Sequence, residues 1–329
     1  MGTSRNITAQ VVVNGSAINV KSASVTLTKT RKSETFHAEV AMFDPAAQGL
    51  DAATGATVTV IVNGSQIGGT FQLEHVDFDF DATSVTISGR DASSQLIDTQ
   101  NTKTFTNQTP EQVIKALAQG VGVNIDPIGG SAGKTYQIDW NAITHRASAW
   151  EAIQHLADLY GMHAYITGGT LYVKPIDESL PVYPLQWTPP NSGGAAAGNF
   201  LKLKCSRNFQ MSKQINVTAY GHNYKQKKTL TANATAGGSG SGSLNYNYVV
   251  PSATQDQLQN IANKKCKEHA KHAHDIEVEI PGDPNVIVRM QLQLSGTGTI
   301  FDTTYDVTDV EHKVSWDGGY TTTMKGKTA

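Results

Sequence analysis

Three aspartates, Asp77, Asp79 and Asp81, are spaced two residues apart. On a β-strand this spacing places all three carboxylates on one face. The pattern begins like a calcium-binding loop, but Ala82 stands where such a loop requires glycine, and Ser88 stands where it requires a bidentate glutamate. We therefore interpret the three aspartates as the polar face of a hairpin. An acidic surface of this kind would repel polyanions.

A second group with ligand chemistry consists of Cys266, His269, His272 and His274. A zinc site needs four ligands that converge on one point. On a helix Cys266 and His269 are neighbours, whereas His272 faces another direction and His274 lies near the helix end. Histidines at the C-terminus of a helix are already favoured by the helix dipole. We expect no metal ion here.

Motifs for nucleophilic, nucleotide-dependent and metal-dependent catalysis are missing from the sequence. There is no Gly-x-Ser-x-Gly elbow, no P-loop and no His-Glu-x-x-His. Scattered carboxylates could form a hydrolase pair, but their separation cannot be read from sequence. The sequence favours a protein without catalytic activity and without a cofactor.

The segment 1–95 that carries the aspartates has the pattern of a β-domain. Apolar runs flank Asn14-Gly15 and Asn63-Gly64, and this dipeptide accepts the positive φ angles of a tight hairpin turn. Residues 36–43 and 71–80 alternate between apolar and polar side chains, as half-buried strands do. Frequent turns between antiparallel strands predict a sandwich or a barrel.

The segment 96–185 changes to helical periodicity. Thr109-Pro110-Glu111-Gln112 and Ser148-Ala149-Trp150-Glu151 are capping boxes that begin two helices. An apolar stripe from Trp150 to Tyr160 is most simply core. A hairpin follows at 163–173, so this segment is predicted to be a small α+β connector.

The segment 186–329 returns to strand patterns after a boundary rich in proline and glycine at 189–194. A helix is predicted at about 253–274, inserted among the strands. Residues 236–243 (AGGSGSGS) cannot pack a core, and we expect a loop there.

Residues 71–91 and 305–328 share a layout. Each begins with an aromatic residue, Phe71 or Tyr305, and crosses a turn into a strand that ends at Gly89 or Gly326. We interpret the first and third segments as two copies of one β-domain. The fold class is thus mainly β, with two β-barrel or sandwich domains flanking the α+β connector.

Composition narrows the function classes further. Lys and Arg number 26 against 28 for Asp and Glu, which gives a net charge of −2 and no excess of positive charge for binding nucleic acid. The two cysteines, Cys205 and Cys266, form no disulfide framework. We see no signal peptide and no apolar run long enough to span a bilayer, and expect a soluble, unanchored chain.

The order of these segments resembles the baseplate hub family of contractile-tailed bacteriophages, also called late control protein D. The N-terminal part of type VI secretion spike proteins belongs to the same group. The serine- and glycine-rich insertion at 236–243 departs from the family pattern. The residues that carry the resemblance are Ser88-Gly89-Arg90-Asp91, Thr109–Ile114, Ser148–Ile153 with Leu156-Ala157, Gly161–Tyr165 and Leu171–Val173.

The resemblance implies a homotrimer in which each chain contributes two domains like those of the tail tube. Three such chains would present six domains to a hexameric tube and threefold symmetry to a trimeric spike. The implied partners are the tail tube protein, the central spike protein, and the baseplate wedge and tape-measure proteins. The implied location is the virion baseplate, after assembly in the host cytoplasm.

A hub of this kind would line a channel through which DNA passes without specific binding. We therefore expect Asp77, Asp79 and Asp81 to form an acidic surface that faces this channel or lies at its rim.

Two other functions remain open from sequence. The first is a glycan-binding, adhesin-like β-protein, for which Trp140, Trp187 and Trp316 are candidate contact residues. The second is a cell-wall hydrolase component of a tail tip.

Overall fold

The computed structural model describes residues 7–29, 32–100, 105–128, 138–140, 148–175, 179–190, 197–209, 213–223, 227–237, 241–250 and 253–328. The protein is mainly β, as predicted. In the described part of the chain, no helix is both long and apolar enough to cross a membrane.

Six antiparallel strands at the N-terminal end form a closed barrel, which we call the first β-unit. The strand order is β1-β4-β5-β6-β3-β2, and β2 pairs with β1 to close the ring. The strands are β1 (Ala9–Val13), β2 (Ser16–Thr28), β3 (Thr35–Ala41), β4 (Thr57–Val62), β5 (Ser65–Asp79) and β6 (Ser84–Asp91).

The two predicted Asn-Gly hairpins are confirmed. Asn14 and Gly15 have φ angles of 47° and 87°, and they join β1 to β2. Asn63 and Gly64 have φ angles of 50° and 80° between β4 and β5. Positive φ at both central positions makes the tight turn that matches the twist of the strands.

The connector follows directly and has its own apolar core. The predicted capping boxes are confirmed. The hydroxyls of Thr109 and Ser148 accept from the backbone N–H of Gln112 and Glu151, and the backbone N–H groups of Thr109 and Ser148 donate to the side-chain oxygens of those same partners. The predicted stripe is also core, since Trp150 and Leu156 are buried. The elements are α1 (Ser93–Asp98), β7 (Phe105–Gln108), α2 (Pro110–Gln119), β8 (Asn124–Ile125), β9 (Ile138–Trp140), α3 (Ala149–Leu159), β10 (Met162–Thr167) and β11 (Thr170–Pro175).

An inserted subdomain interrupts the strands that follow. The sequence predicts an inserted helix at about 253–274 and a strand near 215–220, but not a separate subdomain; the helix packs on a three-stranded sheet and shares a separate core with it. Three strands precede the insertion, β12 (Val182–Thr188), β13 (Ala197–Gly198) and β14 (Lys202–Arg207). The insertion comprises β15 (Gln214–Asn223), β16 (Lys228–Ala236), β17 (Ser243–Val249) and α4 (Gln255–Ala270), followed by a 3-10 turn at Lys271–Ala273.

The chain then completes a second β-unit. Its strand order is β12-β19-β20-β21-β18-β14. No pairing between β12 and β14 closes this sheet within the described residues, whereas the first β-unit is closed. The remaining strands are β18 (His274–Pro281), β19 (Gln291–Ser295), β20 (Thr304–Ser315) and β21 (Gly319–Thr328).

The two β-units are joined edge to edge in one continuous sheet. Strand β2 of the first unit pairs with β20 of the second. One apolar core runs through both units, from Val11 to Met324. This shared core fixes the position of one unit against the other.

Candidate assembly surface

The contact between the two β-units, which we call the internal junction, is an antiparallel ladder. Residues 22–28 of β2 pair in register with residues 309–315 of β20. Lys29 N donates to Thr308 O (2.8 Å) at one end, and Trp316 N donates to Lys21 O (3.0 Å) at the other. The junction is thus a run of main-chain hydrogen bonds, which specifies both register and direction.

The two β-units repeat the same strand order. Taken along the chain, strands 1 to 6 of the first unit correspond to β12, β14, β18, β19, β20 and β21 of the second. Four antiparallel strand pairs of the first unit each have an antiparallel counterpart in the second unit. They are β2–β3, β3–β6, β6–β5 and β5–β4, with the counterparts β14–β18, β18–β21, β21–β20 and β20–β19.

The hairpins that the sequence analysis aligned match in register as well as in order. Leu73 pairs with Gly89, and a bulge follows before the next pair of β5 and β6. Val307 pairs with Gly326, and a bulge follows before the next pair of β20 and β21. A bulge is a specific feature of a strand pair, so its recurrence at equivalent positions confirms the alignment of the hairpins.

The neighbouring strand repeats the same geometry. Leu73 N donates to Ala56 O (2.9 Å), and Val307 N donates to Met290 O (3.2 Å). Both bonds join the bulged strand to the strand before it in the chain. The first strands differ, because β1 is antiparallel to β4 whereas β12 is parallel to β19. Five of the six strands therefore follow one plan.

The acidic row of Asp77, Asp79 and Asp81 lies at the end of β5 and in the turn after it. All three residues are exposed. Asp79 also accepts a hydrogen bond from Ala82 N (2.8 Å), which fixes the turn. On the other face Phe80 is 77% exposed, although aromatic side chains of this size are usually well covered.

This end of β5 has an open edge. Strand β6 lies along one side of β5 as far as Asp79, but pairing with β4 on the other side ends at Gln72. No described strand pairs with that side from Glu74 to Asp79. An unpaired edge of this kind is a template for pairing with another chain.

Strand β14 has the second open edge. It pairs with β18, and among the described strands nothing pairs with its other side. Lys202 and Lys204 are exposed, and Lys202 binds Glu279 at 2.8 Å on the same sheet. This pair of exposed lysines was not predicted from the sequence. The alternation of lysine and apolar residues from Lys202 to Cys205 mirrors that of aspartate and phenylalanine at 77–81 and could have revealed it.

A buried glutamate ties the first β-unit to the connector. Glu34 is fully buried and accepts hydrogen bonds from Thr167 Oγ1 (2.5 Å) and Gly168 N (3.1 Å). Burial raises the pKa of Glu34 to about 8. Burial also raises the pKa of the adjacent Asp91 to about 6. This pair has no signal in the sequence, because Glu34 is an ordinary polar residue before β3 and Asp91 is the last residue of β6.

The structure does not bring the cysteine and histidine group together. Cys266 is buried in the insertion core and points its thiol at Ile215 O (3.5 Å). His269 stacks on Tyr246 with ring centroids 4.0 Å apart, and His274 contacts Phe301. The side chain of His272 lies outside the described residues. No group of three metal-binding side chains occurs in the described part of the protein.

The three candidate tryptophans for glycan binding are not equivalent. Trp316 is 92% exposed and lines a groove of about 690 Å³ with residues of β1, β2 and the β20–β21 turn. Trp187 is half-buried. The side chain of Trp140 lies outside the described residues.

Comparison with protein families places the chain by sequence. The family model described as the Alg8 N-terminal domain matches residues 74–315, well over half of the chain. The chain belongs to the Alg8 N-terminal domain family. The region that matches this family begins at the bulge of β5 and ends with the last residue of β20. No curated protein matches the chain.

Solved structures with the fold of this Alg8 N-terminal domain family member include phage tail proteins. The chain is 15% identical to a tail protein from Neisseria meningitidis MC58, with a TM-score of 0.74 over 98% of this chain and 96% of that one. It is 14% identical to the 43 kDa tail protein of prophage MuSo2 from Shewanella oneidensis, with a TM-score of 0.73 over 97% and 98%.

A type VI secretion component has the same fold at lower similarity. It is an Escherichia coli protein described as structurally similar to the bacteriophage T4 tail proteins gp27 and gp5. The identity is 8% and the TM-score is 0.56, over 97% of this chain and 76% of that one. At these identities the comparisons establish a shared fold.

Proposed function

We propose that the protein is a non-enzymatic baseplate hub of a contractile tail or a related injection particle. In this role three chains form a ring that joins a hexameric tail tube to a trimeric central spike. The observation that carries the proposal is the repeated β-unit, fused through the internal junction. Two equivalent units in each of three chains give a ring of six, as cyclic symmetry allows.

The fold shared with phage tail proteins and with a type VI secretion component supports this proposal. The partners would be the tail tube, spike, wedge and tape-measure proteins, and the location would be the virion baseplate. Assembly would take place in the host cytoplasm.

The acidic row also has a place in this proposal. Asp77, Asp79 and Asp81 are exposed on one end of β5, where they would face the channel of the ring. Carboxylates there would repel the phosphates of passing DNA and keep it from binding. This role requires that the three carboxylates stay in contact with water after assembly.

Mass photometry of the purified chain tests the proposal directly. We expect a particle of about three times the 35.2 kDa chain mass. Electron-microscopy class averages should contain a ring with six lobes, and mixing with the tube protein of the same particle should place it at tube ends. A chain that stays monomeric at micromolar concentration would contradict the hub role, and so would a trimer that does not bind the ends of tubes.

A second candidate function rests on Trp316. An exposed tryptophan beside a groove is typical of a sugar-stacking surface, and Trp316 is 92% exposed. A glycan array with the wild-type chain and a Trp316→Ala variant tests it. Binding that the variant loses would favour the adhesin function over the hub.

A further inference from the structure

The open edges of β5 and β14 occupy the two positions that the internal junction fills inside the chain. In the repeat, β5 is equivalent to β20 and β14 is equivalent to β2. The internal junction pairs β2 with β20. The remaining β2-like and β20-like edges are β14 and the end of β5, and both are free of any paired strand in the described residues.

We propose that β14 of one copy pairs with the end of β5 of a second copy, in the register of the internal junction. This contact would close the ring of the proposed function, and it rests on that function only for the number of copies. The partner is thus a second molecule of the same chain.

The register follows from two alignments. Position 309 of β20 is equivalent to position 75 of β5, because the bulges coincide. Val25 pairs with Phe36, and Phe36 pairs with Gly89. In the second unit Cys205 pairs with Ile276, and Ile276 pairs with Gly326. Because the two glycines are equivalent, Val25 and Cys205 are equivalent as well.

Applying the pairs of the internal junction then gives five pairs between copies. They are Asp79 with Lys204, Phe78 with Cys205, Asp77 with Ser206, Val76 with Arg207, and His75 with Asn208.

The side chains in this register are complementary. Asp79 lies opposite Lys204, and both are exposed in the single chain. The equivalent pair in the internal junction is Ser24 with Lys313. Hydrogen-bonded and non-hydrogen-bonded pairs alternate along the ladder, and the main-chain bonds made by Lys29 and Trp316 show that Ser24 and Lys313 form a non-hydrogen-bonded pair. Side chains approach most closely at such pairs, which favours a cross-strand ion pair.

The opposite face of the ladder is apolar. Phe78 would meet Cys205, and both are half-buried in the single chain. The exposed Phe80, in the turn after β5, would come beside Leu203 at the start of β14. Leu201, next to that end of β14, is 55% exposed. Association would therefore remove apolar surface from water at both edges.

The acidic face remains on the solvent side of the sheet in this arrangement. The carboxylates of Asp77 and Asp79 would stand beside Ser206 and Lys204 of the neighbouring copy. They can still line a channel there, although the ion pair with Lys204 would offset the charge of Asp79 and leave Asp77 as the unpaired carboxylate of this ladder.

Disulfide trapping tests the register. In a Cys205→Ser background, the double variant Asp77→Cys, Ser206→Cys places two thiols at a close pair of the proposed ladder. Mild oxidation should convert most of it to covalent oligomers on a non-reducing gel. The matched control, Asp77→Cys with Lys202→Cys, lies on the same face but four residues out of register, which is about 13 Å along a strand. It should remain mostly uncrosslinked.

Reversing the charge of Lys204 gives an independent test of the register that needs no cysteines. Lys204→Asp alone should weaken self-association about fivefold, the scale of one cross-strand ion pair. Adding Asp79→Asn should restore part of the loss. Circular dichroism checks that each variant is folded.

The outcomes separate this inference from the proposed function. A trimer in which the in-register pair does not crosslink, or crosslinks no better than the control, overturns the strand pairing and leaves the hub role standing. In-register crosslinks in a ring of another size support the pairing and contradict the threefold adaptor. A monomer without crosslinks overturns both.

Discussion

Gly89 and Gly326 occupy equivalent places in the two β-units, because each belongs to the last residue pair before a bulge. A Cβ atom at Gly89 would lie 1.8 Å from Gln72 O, and one at Gly326 would lie 3.0 Å from Asp306 O. Gln72 and Asp306 are themselves equivalent in the repeat. The absence of a side chain therefore lets the main chain of the bulged strand come close to the glycine in both units.

Alanine at these two glycines should destabilise the protein unequally. We expect Gly89→Ala to lower the free energy of unfolding by about 3 kcal/mol, because the clash is with main chain that cannot move alone. Gly326→Ala should cost about 1 kcal/mol, since the contact there is only tight. Urea unfolding of both variants measures the difference. Equal effects would contradict the packing described for Gly89.

Glu34 should make stability depend on pH. Its pKa is about 8 in the folded protein, against 4.5 for a free glutamate, so the folded state holds a proton that the unfolded state has lost. The stabilisation is complete below pH 4.5 and is lost as the pH rises through 8. Asp91, with a pKa of about 6, adds to the same trend at lower pH.

We expect the melting temperature of the wild type to fall between pH 5 and pH 9. Glu34→Gln keeps the shape of the side chain and removes the titration, so its melting temperature should fall less over this range. Differential scanning fluorimetry across buffers of equal ionic strength measures both curves. Parallel curves would show that another group sets the pH dependence.

Lys264 forms a buried ion pair between the insertion and the connector. It is 2% exposed, binds Asp158 of α3, and also donates to Met162 O. In the sequence, Lys264 falls with Lys267 on the side of the helix away from Leu258, so periodicity alone predicts that it is exposed, and that expectation is wrong. Helical periodicity predicts which residues share a face, but only the packing of α4 on α3 decides whether that face meets water.

Removing this lysine should be costly. Lys264→Met leaves the Asp158 carboxylate without its buried partner, and we expect a loss of about 3 kcal/mol in the free energy of unfolding. Lys267→Met, on the exposed side of α4, should change the free energy by less than about 0.5 kcal/mol. Chemical denaturation of the two variants side by side gives the comparison. A Lys264→Met protein as stable as the wild type would show that the pair does not hold α4 on α3.

Zinc should not stabilise this protein. His269 is held by stacking on Tyr246 and by a 2.7 Å hydrogen bond to Tyr248, and Cys266 faces the insertion core. We expect the same melting temperature with a chelator and with micromolar zinc. A zinc-dependent increase that His269→Ala abolishes would establish a metal site at this helix end.

Local features of the fold were predictable from sequence, because short-range chemistry decides them. Asn14-Gly15 specifies its turn, and Thr109 with Gln112 specifies a helix start. The repeat was visible in the aromatic and glycine residues at the ends of the two hairpins. The parallel pairing of β12 with β19 and the junction of β2 with β20 join residues far apart in the chain, and no periodicity encodes such pairings.

The candidate site was only half predictable for the same reason. The acidic row is apparent as an alternation at 77–81, but its open edge depends on where β4 stops pairing, at Gln72. Glu34 reads as an ordinary polar residue before a strand. Its burial appears only when the Thr167–Gly168 turn of the connector covers it.

The insertion lies between β14 and β18, where the first β-unit has only the short link from β2 to β3. In a ring built from identical chains of one β-unit each, an insertion of this kind would occur at every position. Covalent fusion lets one unit of each pair diverge while the other stays plain. Decorated and undecorated units would then alternate around the circle, and natural selection could remodel the decorated half without disturbing the shared frame.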